Sequence, residues 1–277
     1  MIELINDRLV VSFPEVHPDA TLRIGFQRTL RIPDDGRTYP LPPGLGNFPL
    51  RHVDDFARAL PGAWLEHGGV ILPMYQAEAM WICFGGYYPM AVKIATGKIN
   101  AVSGQAWKDK LNRDPQVYVV GSEQPWVDGY CVEKGVIRQF VAMPLGQGFT
   151  AEEQITGKAE HGGLQVVAYP MKRASYEKYF PSRHPSYEPI LESIAPGSVR
   201  EDSMGFAPGG QMQQDIYADE YDLSDWDLEH SSRCFIHVCN SEAWQRITGE
   251  QPPTKPPTPK QYRKAGLPWF DYYAEGA

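Results

Sequence analysis

Residues 21–32, TLRIGFQRTLRI, decide the fold class. Leu22, Ile24, Phe26, Leu30 and Ile32 fall on one side of an extended segment, and Thr21, Arg23, Gln27, Thr29 and Arg31 on the other. Alternation with a period of two marks a strand with one dry and one wet face. The same grammar recurs in both directions along the chain. Leu9, Val11 and Phe13 alternate after an Asn6-Asp7 turn, which predicts a short hairpin. Residues 69–84 read as an almost wholly apolar strand pair, buried on both faces. Residues 90–103 and 129–143 read as hairpins turning at Thr96-Gly97 and at Glu133-Lys134-Gly135. With 163–171 and 233–239 the list reaches about ten strands, a sandwich or barrel number.

Helical signals are short. Asp54–Leu60 is one. Thr150–Ile155 is a second, with Thr150 as N-cap and Glu153 three residues on, the capping-box spacing. Ser241–Ile247, capped by Ser241, is a third, and Thr258-Pro259 with Gly266 brackets a fourth. The expected architecture is therefore mainly β, a β-sandwich-like body with a few short peripheral helices. It forms a single β-rich domain over 1–277. The alternative division is two lobes, 1–171 and 204–277, joined by the weakly patterned segment 172–203.

Composition narrows the function classes. The chain has 277 residues, with 34 acidic against 26 basic side chains and a net charge of −8. A polyanion is repelled by such a molecule, and no basic patch interrupts it, so nucleic acid and anionic membrane are disfavoured as partners. The opening MIELINDRLVVSF carries charges too early for a signal peptide, and no apolar run reaches spanning length. Cys83, Cys131, Cys234 and Cys239 lack paired spacing and sit in strand-like runs, as small buried hydrophobes do. These features point to the cytoplasm. The 26 Gly and 25 Pro imply many turns, and they concentrate in an excursion at 33–50, PDDGRTYPLPPGLGNFPL, of the ordered kind that often faces a partner.

Two arginines break the strand pattern. Arg28 stands between Phe26 and Leu30, Arg138 between Val136 and Phe140, and Gln139 lies on the opposite face of the second strand. An inward guanidinium needs carboxylate or carbonyl partners, because its charge cannot be neutralised. Asp34, Asp35, Asp54, Asp55 and Asp128 are the candidates. Such a cluster is either an anion-recognising site or a structural salt bridge. Trp126 and Asp128, in a Pro-Trp-x-Asp-Gly turn, suit stacking on and hydrogen bonding to a flat polar ligand such as a sugar, or plug the end of the sandwich.

Other constellations are weaker. Asp225, Asp227 and Glu229 alternate in an acidic stretch, but the EF-hand spacing is missing and a solvated loop is the simpler reading. Cys234, His237 and Cys239 resemble a ligand triplet until strand parity places Cys234 opposite the other two. No metal is called for. There is no nucleophile elbow, P-loop or dinucleotide fingerprint, so no cofactor is expected. The proline-led tail, PPTKPPTP at 252–259 followed by GLPWFDYY, is expected to dock on its own domain or on a second subunit.

The segments QRTLRIPDDGRTYPLPPGLGNFPLRHVDDF, GGVILPMYQAEAMW, IRQFVAMPLG and GLPWFDYY together resemble a family of bacterial hypothetical proteins, over most of the chain. That family has no assigned activity, so the resemblance implies no site. The leading expectation is a non-enzymatic structural or interaction protein that self-associates. The rivals are an enzyme with Arg28, Arg138, Gln139, Trp126 and Asp128 around one pocket, with Asp34 and Asp35 as carboxylate partners, and a carbohydrate-binding module using Trp126.

Overall fold

The computed structural model describes residues 1–133, 135–181 and 204–269, and the chain is mainly β. Two sheets enclose one apolar core. The first runs in the order Ile2–Ile5, Arg8–Ser12, Thr21–Thr29, Ala79–Gly85, Val136–Pro144, Met204–Gln213 and Thr38–Tyr39. Three short strands attach to it: Trp126–Val127 on Ala79–Gly85, Gly129–Glu133 on Val136–Pro144, and Gly44–Asn47 on Thr21–Thr29. The second runs Ile99–Asn100, Met90–Thr96, Leu164–Pro170, Ser232–Cys239, Val70–Pro73 and Arg51–His52, with Val119–Val120 beside Met90–Thr96. Most pairings are antiparallel, but Met204–Gln213 with Thr38–Tyr39 and Ser232–Cys239 with Val70–Pro73 are parallel. The sandwich-like body expected from alternation is present.

The inner faces supply the core. Leu22, Ile24, Phe26, Ile82 and Phe140 from the first sheet share one cluster with Val92, Ile94, Val166, Ile236 and Val238 from the second. Leu30 and Ile32 leave that cluster although alternation places them on its face. The register of Thr21–Thr29 against Gly44–Asn47 shifts between Gln27 and Thr29, and the strand ends at Thr29. Leu30 and Ile32 pack instead with Ile137, Met212, Tyr262 and Leu267. Parity holds in the second sheet, where Cys234 joins the main core and Cys239 packs with Trp244 on the other side. His237 stacks on Trp64 at 4.7 Å and pairs its Nε2 with the Gly68 carbonyl at 2.8 Å. Burial lowers its pKa to about 4, so the ring is neutral at pH 7.

Several elements differ from expectation. The 69–84 segment is not a paired hairpin: Val70–Pro73 lies in the second sheet and Ala79–Gly85 in the first. Asp54–Phe56 forms only a 3-10 turn, and a helix follows at Gly62–His67. Arg173–Tyr179 is helical inside the weakly patterned segment, while 182–203 lies outside the described residues, as does Lys134 in the 133–135 turn. Met204–Gln213 is a full strand that Pro208, Gly209 and Gly210 disguise. A register shift at Arg138/Phe140 absorbs them. This strand and Ser232–Cys239 lie beside strands from the first 171 residues, so the stretches 1–171 and 204–277 share both sheets.

Caps behave as local chemistry requires. Thr150 and Glu153 close a capping box, and Thr258 closes another with Gln261. The Ser241–Thr248 helix is capped by Asn240, not Ser241: the Asn240 side chain accepts from the Ala243 N–H at 2.8 Å. Asn240→Ala is expected to lower stability by about 1 kcal/mol, measured by urea unfolding, with Ser241→Ala the milder change.

The tail docks intramolecularly as far as it is described. Tyr262 is buried and its hydroxyl accepts from the Arg31 N–H at 3.0 Å. Residues 270–277 lie outside the described residues. Among the described residues no helix is long and apolar enough to cross a membrane.

Candidate functional site

The seven side chains singled out in the sequence fall into separate hydrogen-bonded groups. Arg28 is 2% exposed. Its Nε and Nη2 donate to Glu78 Oε1 at 2.9 and 2.5 Å, and Nη2 also donates to the Lys255 carbonyl at 2.8 Å. The other Glu78 oxygen accepts from the Tyr75 N–H at 3.1 Å, and the Tyr75 hydroxyl donates to the Thr254 carbonyl at 2.7 Å. The Phe48 ring lies 5.6 Å from the guanidinium. This pair is a clasp that fastens the proline-led tail to the body. Its carboxylate is none of the five aspartates expected.

Arg138 and Gln139 secure a different crossing. Arg138 donates from Nε to the Gly209 carbonyl at 3.0 Å and forms an ion pair with Asp34, one of the expected partners. Gln139 is 1% exposed, so the strand does bury one polar side chain. It substitutes for a missing ladder, accepting from the Ile32 N–H at 3.0 Å and donating to the Leu30 carbonyl at 2.9 Å. Asp35 is exposed and folds its own turn, accepting from the Arg37 N–H at 3.0 Å and the Tyr39 hydroxyl at 2.9 Å. Asp54 and Asp55 are exposed and pair with neither arginine. The two guanidiniums of the expected pocket are each committed to a chain crossing, Arg28 on Glu78 and the Lys255 carbonyl, Arg138 on Asp34 and the Gly209 carbonyl.

Trp126 and Asp128 belong to a third group, which sequence reading only half identified. The Trp126 indole donates to Asp128 Oδ2 at 3.0 Å, and the Asp128 N–H donates to Gln214 Oε1 at 3.0 Å. Register places Trp126 opposite Cys83, Gln27 opposite Trp81, and Gln27 again opposite Asn47. Directly opposed residues share a sheet face, as do residues two apart on one strand. Gln27, Asn47, Trp81, Trp126 and Asp128 therefore gather on the outward face of the first sheet. The Trp81 and Trp126 rings meet edge to face at 6.2 Å. Glycines leave room beneath them: a Cβ on Gly25 would stand 2.7 Å from Cys83 Sγ, and one on Gly44 3.3 Å from Gln27 Oε1.

Four buried polar atoms of this group have no hydrogen-bond partner among the described residues: Gln27 Oε1, Asn47 Oδ1, Trp81 Nε1 and Asp128 Oδ1. Each such atom costs about 1–3 kcal/mol, and native proteins hold few of them. Nine such atoms occur among the described residues; four gather on this face, and three more, Asn240 Nδ2, Ser241 Oγ and Trp244 Nε1, lie at the start of the Ser241–Thr248 helix. Burial pushes the Asp128 carboxyl up to about 7, against the Trp126 donor, which pulls it down. Alternation places Gln27 on the wet face of its strand and says no more. Nothing in the sequence joins it to Asn47 and Trp81, because register across three strands does so.

The acidic stretch is likewise committed locally. Asp225 accepts from the Ser175 hydroxyl at 2.6 Å and the Tyr179 hydroxyl at 3.0 Å, while Asp227 Oδ2 binds His230 Nδ1 at 2.9 Å. Comparison of the chain with protein-family models, with curated proteins and with solved structures finds no match to any of them.

Proposed function

We propose that the protein is a non-enzymatic binding protein whose ligand is an uncharged, hydroxyl-rich molecule of the sugar class, received on the outward face around Trp81 and Trp126. The four partnerless polar atoms carry this reading. Three are acceptors and one, the Trp81 indole, is a donor; hydroxyl groups satisfy both kinds. The half-buried indoles supply apolar faces for the C–H side of a sugar ring. The polar atoms are shielded, so entry requires the short strand Gly44–Asn47 to yield. That strand belongs to the Pro/Gly excursion and is registered on Thr21–Thr29 at only two positions, Gln27 and Thr29. Self-association, the other non-enzymatic expectation, loses the tail as its ground up to Trp269, since that stretch is used within the chain.

A glycan array followed by calorimetry tests the proposal. A saccharide hit is expected, and Trp126→Ala should weaken it at least about tenfold, since burying one large apolar side chain contributes roughly 1.5–3 kcal/mol. An array without hits, or a hit that Trp126→Ala leaves unchanged, contradicts it.

Asp128 adds a pH signature. Its folded-state pKa of about 7 lies above the value of roughly 3.9 in an unfolded chain. The folded state therefore retains a proton that the unfolded state releases, and stability falls as pH rises from about 4 to about 7. Asp128→Asn should match the native protein near pH 4 and exceed it by about 1–3 kcal/mol at pH 8, in urea unfolding at both pH values.

A further inference from the structure

A concave region lies away from the tryptophan face. It is a cleft of about 550 Å³, within the roughly 300–1,000 Å³ range of small-molecule sites. Two backbone hydrogen bonds, which form the isolated Met171–Trp226 bridge, build it by holding the 170–173 corner against the 223–230 loop. The Lys172 N–H donates to the Asp225 carbonyl at 2.8 Å, and the Asp227 N–H donates to the Pro170 carbonyl at 2.9 Å. Glu15 and Val16, from the turn before Thr21–Thr29, complete the wall.

The chemistry of this cleft is mixed by design of its loops. Asp227 is locked: it accepts from the Glu229 and His230 N–H groups at 3.0 and 3.1 Å and from His230 Nδ1 at 2.9 Å. The imidazole is thereby oriented, with Nε2 left without a partner among the described residues. Hydrogen bonding to Asp227 and the nearby charges of Asp227, Glu15 and Glu229 raise its pKa and favour the protonated, donating ring. Lys172, Glu15 and Glu229 are exposed and make no side-chain hydrogen bond or ion pair among the described residues. Arg173, by contrast, is engaged with Glu177 at 2.7 Å. The apolar part of the lining includes Leu223 and Leu228, 37% and 55% exposed, large side chains that ordinarily seek cover.

Uncommitted charges of both signs thus share a small cleft with exposed leucines. A simple anion meets the glutamates there, and a simple cation meets Lys172 and His230. A molecule carrying both charges can orient so that each end faces its opposite. We propose that this cleft binds a small zwitterion, a free amino acid with an apolar side chain, its carboxylate held by Lys172 and His230 and its ammonium by Glu15 and Glu229. This site shares no residue with the tryptophan face, so either proposal stands or falls without the other.

Calorimetric titration of the full chain with L-leucine, L-methionine and L-phenylalanine tests it. At least one should give saturable binding. The deaminated and decarboxylated counterparts (4-methylpentanoate and 3-methylbutylamine, for leucine) should each bind at least about tenfold more weakly. Lys172→Met and Glu229→Gln should each weaken the amino acid by at least about tenfold, with the melting temperature unchanged because neither side chain is hydrogen-bonded. Absence of saturation with all three, a counterpart binding as tightly as its amino acid, or undiminished affinity in Lys172→Met overturns the proposal.

Discussion

Glu78→Ala is expected to destabilise the protein by about 3–5 kcal/mol, because it leaves the Arg28 guanidinium charged, buried and without its carboxylate. Both partners are almost wholly inaccessible, at 2% and 1% side-chain exposure, and the pair is joined by two hydrogen bonds from one guanidinium. The loss extends beyond the pair. Glu78 also accepts from the Tyr75 N–H, and Arg28 holds the Lys255 carbonyl, so the clasp joins the 75–78 crossing, the end of Thr21–Thr29 and the tail. Chemical unfolding measures the overall effect. Limited trypsin digestion reads the local one: cleavage at Arg263 and Lys264 should accelerate in Glu78→Gln, which keeps the shape but weakens the attraction. Unchanged stability in Glu78→Ala and unchanged cleavage in Glu78→Gln would assign the clasp no role.

Gly69→Ala is the second severe change, expected to cost about 3 kcal/mol or more. Gly69 has φ +94°, a conformation that disfavours any side chain by about 1–2 kcal/mol. A Cβ there would stand 2.1 Å from the Phe235 carbonyl oxygen, a backbone atom that cannot rotate away. Overpacking of this kind adds roughly 1–3 kcal/mol. The position matters because Val70–Pro73, which follows at once, is laid parallel on Ser232–Cys239 from Val70↔Ile236 onward. Gly62→Ala provides the contrast. A Cβ at Gly62 meets nothing within 4 Å, and the residue opens a helix, so alanine should be neutral or stabilising by up to about 1 kcal/mol. Thermal unfolding of the two variants side by side separates crowding from a general effect of removing glycine.

What the chain discloses by itself is local. Alternation in 21–29 and 233–239 reads the faces of those strands because one pleat determines the side on which each residue lies, and it fails at Leu30 and Ile32, where the strand has ended. Thr150 with Glu153, and Thr258-Pro259 with Gly266, mark helix ends because capping is satisfied within a few residues. Asn240 and Ser241 are both capping types, so one turn of sequence leaves the choice between them open.

Partners set by register across the sheet are hidden. Arg28 lies opposite Met80, two residues from Glu78, yet fifty residues separate the ion pair in the chain. Gln27, Asn47, Trp81 and Trp126 meet through three independent pairings, none of which alternation specifies. The Met204–Gln213 strand is masked by its own glycines, one of which is required by contact: a Cβ on Gly210 would stand 2.0 Å from the Pro33 carbonyl. The two arginines were correctly marked as irregular. Their partners, Glu78 and the Lys255 carbonyl for Arg28, and Asp34 and the Gly209 carbonyl for Arg138, become visible only with register in place.

The tryptophan face is the centre of the functional account, and the indole N–H of Trp81 reports on it directly. Its signal, assigned through Trp81→Phe, can be followed by nitrogen-15 correlation spectroscopy while a saccharide is added. A saturable shift of this resonance together with that of Trp126 is the predicted result. A bound saccharide that leaves both indoles unmoved while other resonances shift would place recognition elsewhere and contradict the account.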